Sequence, residues 1–347
     1  MIRVLLVDDS PLALQILQRL LAGAPDIEVV GTAGNGREAL VRVAALDPDV
    51  ICLDLHMPVM DGLAFTQAVM AERPRPILVV SVSVAAGGSG VFRLLEAGAV
   101  DVLPKPRDFQ TADARLGAEL VRKIRIVAGV RVLRHGVRTP GEATPPPLVP
   151  HAPPRLVVVG ASTGGPQALH AILAALPADF ALPMVCVQHI GSEFLAEMVG
   201  WLDAATPLRL ALARGGERPV AGRVYFAPGG GHLEFDARGT LVLTDGPPCD
   251  GHRPSVSVSM RAAAQHFGAG AVGVLLSGMG RDGAEGMASI ARAGGVTIAQ
   301  DEASCVIYGM PAAAVALGAV QHVLPLARIV PALTRLADAG EKRGGMV

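Results

Sequence analysis

Short apolar runs alternate with segments of helical spacing along the first third of the chain. The apolar runs are rich in β-branched residues and occupy residues 2–7, 27–33, 49–54, 76–81 and 99–104. Between the first two runs, Leu12, Ile16 and Leu20 recur at the spacing of one helix face. Five such strand and helix units within about 120 residues predict an α/β fold, a five-stranded doubly wound domain.

A second alternating pattern begins after a segment in which basic and then proline residues accumulate. Prolines in "HGVRTPGEATPPPLVPHAPP" are incompatible with both helices and central strands. Beyond them, apolar runs predict strands at 155–160, 183–188, 208–212, 222–227, 240–244, 271–277, 295–300 and 320–325. The pattern therefore predicts a domain over 1–123, a linker over 124–154, and a larger, doubly wound, mostly parallel α/β domain over 155–340.

Composition narrows the classes of function. The 30 basic and 31 acidic residues almost cancel, so no basic surface for nucleic acid is indicated. No apolar run approaches the ~20 residues of a membrane helix, and the start of the chain does not resemble a signal peptide, so we expect a cytoplasmic protein without membrane insertion. Its four cysteines are far apart and without metal-ligand spacing, which favours buried thiols in a reducing compartment.

Polar residues follow the predicted strands of the first domain where each strand ends. They are Asp8, Asp9, Asp54, Ser81 and Lys105. Carboxyl ends of parallel strands share one edge of a sheet, so these side chains should converge there. Clustered carboxylates suit Mg²⁺, with Asp54 as the nucleophile for a phosphoryl group, Lys105 neutralising its charge and Ser81 donating a hydrogen bond.

Together with "DLHMPVMDG" (54–62) and "PKP" (104–106), these residues make the stretch 1–123 resemble the receiver domain of bacterial response regulators. The resemblance implies a histidine kinase as phosphodonor. It also implies Mg²⁺ bound by Asp9, Asp54 and the carbonyl of His56, with Asp8 acting through water.

Two further expectations come from the same resemblance. A cis peptide is implied between Lys105 and Pro106. Val102 stands where the family often has an aromatic residue that follows the phosphorylation state, so we expect no aromatic switch at that position.

The second domain opens with "VVVGASTGGPQAL" (157–169), a strand followed by a glycine-rich turn. A phosphate-binding P-loop would end in Gly-Lys-Ser/Thr, which is missing here, and a dinucleotide site would have an acidic residue after the next strand. That strand is followed by His189 instead. Residues 160–164 match G-x-S-x-G, in which a sharp turn exposes a serine.

Three residues at predicted strand ends could form a Ser-His-Asp arrangement. They are Ser162, His189 and Asp282. A neutral imidazole can take the proton of the serine hydroxyl, and a carboxylate fixes the tautomer of that imidazole. Their chain order differs from that of the α/β-hydrolases, so that fold is not predicted.

Several long motifs then make 155–340 resemble the chemotaxis-type protein-glutamate methylesterase domain. They are "GASTGGP", "VQHI", "FAPGGGHLEF", "HRPSVSV", "LLSGMGRDGAEGM" and "AQDEASCVIYGMPAAAV". The resemblance implies Ser162 as nucleophile, His189 as base, Asp282 as orienting acid, Thr163 beside the nucleophile and the N–H of Met279 in an oxyanion hole. It implies hydrolysis of glutamate methyl esters on chemoreceptor cytoplasmic helices, with deamidation of selected receptor glutamines by the same groups.

This chain departs from the family's usual pattern at Ile190, Gly191 and Ser257. We expect these residues not to touch the triad and to alter the substrate groove. His252 is predicted to be an ordinary surface or core residue.

Two other functions fit parts of the pattern: a phosphorylation-controlled adaptor on receptor arrays, and a nucleotide-dependent enzyme using the 160–165 loop. For the esterase, the presence of a receiver on the same chain, joined by a proline-rich linker, motivates a hypothesis about regulation. In it the unphosphorylated receiver packs over the mouth of the esterase site, and phosphorylation of Asp54 changes that interface enough to admit the receptor helix.

Overall fold

The computed structural model describes residues 1–82, 90–105, 114–130 and 150–344, with side chains given up to residue 340. By internal contacts the chain divides into two compact units, Met1–Thr139 and Pro140–Val347. The predicted cis peptide between Lys105 and Pro106 and most of the predicted linker lie outside the described residues.

In the first unit, strands and helices alternate through its described part. The elements are β1 (Ile2–Val7), α1 (Pro11–Leu21), β2 (Ile27–Ala33), α2 (Gly36–Leu46), β3 (Val50–Leu53), α3 (Gly62–Glu72), β4 (Ile77–Ser81), α4 (Gly90–Glu96), β5 (Asp101–Pro104) and α5 (Ala114–Ala128).

All five strands of this unit are parallel, in the order β2-β1-β3-β4-β5. Strands β3 and β4 are buried along their whole length, as expected where helices cover both faces of a sheet. The chain leaves β1 toward β2 on one side and returns to β3 on the other. That reversal opens a crevice at the carboxyl ends of β1 and β3.

Polar side chains set the starts of three helices in this unit. Ser10, Asn35 and Asp61 each accept a hydrogen bond from the backbone N–H three residues on. Each cap ends the loop that follows a strand, so the loops at the carboxyl edge are short and well defined.

A larger α/β layer with a small hairpin forms the second unit. Its elements are β6 (Leu156–Ala161), α6 (Gly165–Ala175), β7 (Met184–Gln188), α7 (Ser192–Ala205), β8 (Arg209–Leu212), β9 (Arg223–Phe226), β10 (His232–Phe235), β11 (Leu241–Thr244), α8 (Val256–Phe267), β12 (Ala271–Leu275), α9 (Ala284–Arg292), β13 (Val296–Gln300), α10 (Met310–Ala316), β14 (His322–Leu324) and α11 (Leu326–Gly344).

Seven of these strands form one parallel sheet in the order β14-β13-β12-β6-β7-β9-β8. Strand β6 is entirely buried and pairs with β12 on one side and β7 on the other. The direction of winding therefore reverses around β6, and the carboxyl ends of β6, β7 and β12 meet at one crevice.

The predicted fold class is confirmed: both units are α/β with parallel sheets. Two elements were not anticipated. Strand β10 pairs antiparallel with β11 as a separate two-stranded hairpin, and the 19-residue helix α11 follows β14. Strand β10 is only four residues long and follows a glycine run, which explains its weak signal in the sequence.

Within the described ranges, every helix is too short or too polar to cross a lipid bilayer.

Close packing of α8 against α9 generates a stability prediction. A Cβ added at Gly286 would lie 2.6 Å from Met260 Cβ and 3.0 Å from Ser257 Cα. We expect Gly286→Ala to lower the free energy of unfolding by about 1–3 kcal/mol, because neither neighbour can move without shifting the backbone. Urea unfolding of the full chain, followed by the fluorescence of its single tryptophan, measures this change.

Gly200→Ala is the matched control. Gly200 also lies within a helix, but an added Cβ would meet nothing within 4 Å. The substitution should stabilise the unit by about 0.5–1 kcal/mol, as alanine favours helix over glycine. If both variants changed the free energy of unfolding in the same direction, the packing argument for Gly286 would be contradicted.

Candidate functional site

Polar side chains gather at the carboxyl edge of each sheet. In the first unit the carboxylate oxygens of Asp8, Asp9 and Asp54 lie within 4.8 Å of one another. Asp8 and Asp54 are buried and Asp9 is exposed. Short loops after β1 and β3 place them at the point where the sheet reverses its winding.

Lys105, directly after β5, joins two of these carboxylates. Its ammonium lies 2.7 Å from Asp8 Oδ2 and 2.9 Å from Asp54 Oδ2. Burial raises the pKa of Asp8 above its usual range in spite of this contact. Burial lowers the pKa of Lys105, but the bonds to the two carboxylates outweigh it and leave that pKa raised. One ammonium cannot neutralise three carboxylates, so the cluster favours a further cation.

Ser81, at the end of β4, is fully buried, and its hydroxyl has no hydrogen-bond partner among the described residues. Its carbonyl accepts a hydrogen bond from the backbone N–H of Lys105 at 2.9 Å. His56 is exposed two residues after Asp54, and Val102 is buried within β5. A buried hydroxyl without a partner is costly, so this position suits a polar ligand.

In the second unit, Ser162 directly follows β6 in the turn that leads into α6. Its N–H donates to the carbonyl of Ser277 at 3.0 Å, and its carbonyl accepts from Gly165 N–H at 2.7 Å. The turn needs glycine at position 164, where φ is +77° and a Cβ would lie 2.5 Å from Val306 Cβ.

The imidazole of His189 is tied to the carboxylate of Asp282. Its Nε2 lies 2.9 Å from Asp282 Oδ2, and Nδ1 is buried with no hydrogen-bond partner among the described residues. The His189 side chain is 8% exposed and that of Asp282 is 1% exposed. One ring nitrogen is therefore engaged, and the other remains available for proton transfer.

Asp282 accepts three more hydrogen bonds from the start of α8. The donors are the hydroxyl of Ser255 at 2.7 Å and the backbone N–H groups of Val256 at 2.8 Å and Ser257 at 2.9 Å. Burial raises the pKa of this carboxyl, but the bonds from His189, Ser257 and Ser255 dominate and hold the pKa well below its usual range. Asp282 is thus a carboxylate at all ordinary pH values.

The expectation that Ser257 would not touch the triad was wrong. Besides its N–H bond to Asp282, its hydroxyl accepts from the N–H of Gly283 at 2.7 Å. It is buried because the first turn of α8 packs directly onto the Asp282 loop. Ser257 therefore supports the acid of the site.

Gln188 links the serine turn to the histidine. Its side-chain amide donates to the carbonyl of Ser162 at 2.9 Å and to that of His189 at 3.0 Å. The backbone N–H of His189 donates to the carbonyl of Ala161 at 3.0 Å. Sequence reasoning missed Gln188, although its place at the end of an apolar strand, beside His189, was a usable signal.

The Met279 loop lies against the serine turn. A Cβ at Gly278 would come 2.8 Å from Ser162 Cβ, and the Gly278 carbonyl accepts from the N–H groups of Gly309 and Met310. Met279 itself is 40% exposed. Thr163 is buried, and its carbonyl accepts from the hydroxyl of Ser277 at 2.8 Å. All five residues predicted for the second site therefore lie on loops that meet around the ends of β6, β7 and β12.

His252 was expected to be an ordinary surface or core residue, and this was wrong. Its ring stacks on that of His189, with the two ring centroids 3.7 Å apart and an angle of 4° between the planes. Nothing in the sequence near His252 signalled this contact, because it depends on how the loop before α8 folds back.

These features define a class of protein: an α/β chain with an acidic cluster beside a lysine at one site, and a histidine bonded to a buried aspartate next to a serine-bearing turn at the other. Comparison with known families gives the same two parts. Residues 4–116 match the response regulator receiver domain and residues 157–333 match CheB methylesterase.

Similar proteins span nearly the whole chain. A protein-glutamate methylesterase/protein-glutamine glutaminase of Geobacter metallireducens is 45% identical over 97% of this chain and 99% of its own length. One of Nitrosospira multiformis is 42% identical over 99% and 100%. The crystal structure of the Thermotoga maritima CheB methylesterase catalytic domain is 35% identical, with a TM-score of 0.51 over 53% of this chain and 98% of its own.

The chain belongs to the CheB methylesterase family and carries a response regulator receiver domain. The family and the enzyme class predicted from the sequence are thereby confirmed.

The bonding of Asp282 generates a prediction about stability and pH. Asp282→Asn should lower the free energy of unfolding at pH 7 by about 2–4 kcal/mol, because the buried donors lose a charged acceptor. The folded-state pKa is depressed, so the carboxylate's contribution is complete above its unfolded pKa of about 3.9 and is lost as the pH falls through the folded value. The difference between wild type and variant should therefore narrow below about pH 4.

Urea titrations at a series of pH values test this. Asp245→Asn serves as control, since the Asp245 side chain is 89% exposed although it also pairs with an arginine. That substitution should change the free energy of unfolding by less than about 1 kcal/mol. Equal decreases in the free energy of unfolding for the two variants would contradict the argument that the buried carboxylate of Asp282 stabilises the fold.

Proposed function

We propose that this chain is a phosphorylation-regulated serine esterase that hydrolyses glutamate methyl esters on the cytoplasmic helices of chemoreceptors. The observation that carries the proposal is the bond between His189 Nε2 and the ionised Asp282, which leaves Nδ1 without a hydrogen-bond partner among the described residues. His189 follows β7, and Ser162 follows the neighbouring strand β6. Membership of the CheB methylesterase family and the names of the full-length relatives support the substrate.

The reaction follows from the protonation states. Asp282 is ionised, so His189 carries its proton on Nε2 and accepts the hydroxyl proton of Ser162 on Nδ1. The serine oxygen attacks the ester carbonyl, and methanol leaves with the proton that His189 returns. Water then hydrolyses the glutamyl ester of Ser162, and the carboxylate product and free serine result.

Negative charge develops on the carbonyl oxygen during both attacks. We assign its stabilisation to the backbone N–H of Met279, with Thr163 beside the nucleophile. The support is the direct approach of Gly278 to Ser162 and the anchoring of the Gly278 carbonyl by two N–H groups. A rigid donor needs no reorganisation as the charge appears.

The same groups are suited to amide hydrolysis. Attack of Ser162 on the side-chain amide of a receptor glutamine would release ammonia, with His189 protonating the leaving nitrogen. The relatives' double name supports this second activity.

In the receiver, we assign Asp54 as the phosphoryl acceptor, with a chemosensory histidine kinase as donor. Asp8, Asp9, Asp54 and the carbonyl of His56 would hold Mg²⁺, and the fit rests on the converging carboxylate oxygens. When bound, Mg²⁺ supplies the positive charge that allows a phosphoryl group to approach these carboxylates. Lys105 neutralises the phosphoryl oxygens, and the unpartnered hydroxyl of Ser81 donates to one of them.

The proposed division of labour follows the predicted boundaries: a receiver over 1–123, a linker over 124–154 and an esterase over 155–340. Phosphorylation of Asp54 raises the activity of the esterase toward a cytoplasmic receptor substrate. Ile190 and Gly191 follow the base directly and are assigned to the substrate groove.

The first test of the esterase is Ser162→Ala. We expect methanol release from a methylated receptor cytoplasmic fragment by the phosphorylated full chain to fall at least about 10³-fold, because the nucleophile is lost. Ser289→Ala is the control: among the described residues, this hydroxyl bonds to Glu285 and Arg292 of its own helix α9, so its loss should leave the rate unchanged. Methanol release that survives Ser162→Ala would refute the assigned nucleophile.

Regulation is tested at the phosphoacceptor. A small-molecule phosphodonor with Mg²⁺ should raise the rate of methanol release by the wild-type chain but not by Asp54→Asn. Asp61→Asn removes a carboxylate from the same loop and keeps the helix cap, so its response should match wild type. An undiminished response of Asp54→Asn would show that another group accepts the phosphoryl.

A further inference from the structure

The ring of His252 contacts the ring of the base, and the proposed reaction gives this contact no role. The two imidazoles lie face to face, 3.7 Å apart and within 4° of parallel. His252 is half-buried, so it forms an outer wall on one face of the largely buried His189 ring. A contact this close and this parallel constrains the plane of both rings.

A tight turn presents His252. Cys249 and His252 exchange two backbone hydrogen bonds of 3.1 and 3.0 Å across Asp250 and Gly251. Both central residues have positive φ, 50° and 79°, which is the conformation of a type I′ turn. The backbone that carries the ring is therefore held independently of His189.

The same segment also donates hydrogen bonds to Asp282, beginning three residues beyond His252. The Ser255 hydroxyl bonds to Asp282 Oδ1, and Val256 N–H bonds to the oxygen that also receives His189 Nε2. One short stretch of chain thus holds the acid by hydrogen bonds and the base by ring contact.

The hydrogen bond to Asp282 alone does not define the orientation of His189. A single bond at Nε2 fixes one atom of the ring and permits the ring to tilt about it. Tilting would displace Nδ1, since Nδ1 itself has no described hydrogen-bond partner that would resist the movement. Contact over the whole ring face removes this freedom.

We propose that His252 is a positioning residue for the base: Asp282 sets the Nε2–H tautomer of His189, and the stacked ring of His252 keeps the plane of the His189 ring fixed, so that Nδ1 stays in place to accept the hydroxyl proton of Ser162. The inference rests on the proposed esterase function and deepens it. His252 acts through His189 and is not assigned a contact with substrate.

The kinetic test separates positioning from substrate binding. His252→Ala and His252→Gln both remove the stacked ring, and each should lower kcat for methanol release roughly 10-fold or more with KM nearly unchanged, because only the geometry of proton transfer is disturbed. His252→Phe keeps a flat ring and should recover most of kcat. His266→Ala, a half-buried histidine outside the site, is the control and should match wild type.

A second readout does not require activity. In the full chain with nitrogen-labelled imidazoles, neutral His189 should show a single tautomer with the proton on Nε2. His252→Ala should keep this tautomer, because Asp282 still accepts the Nε2 proton, but should broaden the His189 signals as the ring gains freedom to tilt. His252→Phe should restore the sharp signals. This measurement does not depend on esterase activity, so it distinguishes failure of the His252 inference from failure of the proposed esterase function.

Three results would overturn the inference: unchanged kcat in both ring-less variants, a loss confined to KM, or a His252→Phe variant as slow as His252→Ala. Thermal unfolding of each variant identifies any loss that comes from misfolding. If the alanine variant does not fold, the comparison of His252→Gln with His252→Phe decides the question.

Discussion

The buried carboxylate of Asp282 is the interaction on which the second site depends. A charge removed from water must be matched by donors on all its lone pairs, and here a ring nitrogen, a hydroxyl and two backbone N–H groups supply them. Because those donors come from β7's end and the start of α8, satisfying one charge aligns several elements. The orientation of His189 follows from that alignment, and so does the position of the turn that carries His252.

The receiver also places buried carboxylates at the carboxyl edge of its sheet, but there the negative charge is not fully matched. Lys105 contacts both Asp8 and Asp54, yet the cluster keeps more negative charge than one ammonium can neutralise. A complete set of donors makes the esterase acid a permanent anion that only orients its neighbour. An incomplete set makes the receiver cluster receptive to a cation and a phosphoryl group. Under the proposed function, this contrast suits one unit to positioning a base and the other to accepting a phosphoryl group.

Small residues make the esterase site geometrically possible. Gly278 lets the Met279 loop touch Ser162, and Gly164 provides a positive φ where a side chain would collide with Val306. The sequence showed these glycines only as a turn signal. Glycine is needed at these positions because loops from strands far apart in the chain approach each other so closely that no Cβ fits between them.

Local pattern was sufficient for the α/β class and for the strands that make up both sheets, because buried parallel strands are continuous apolar runs. It was also sufficient to place Asp54, Ser162, His189 and Asp282 at strand ends, since parallel strands end at one edge. The sequence did not reveal strand β10, the bonds of Ser257 and Gln188, or the stack of His252 on His189. Each of these depends on contacts between segments distant in the chain, where distances of a few ångströms are set by how helices and loops pack onto the sheet rather than by any local propensity.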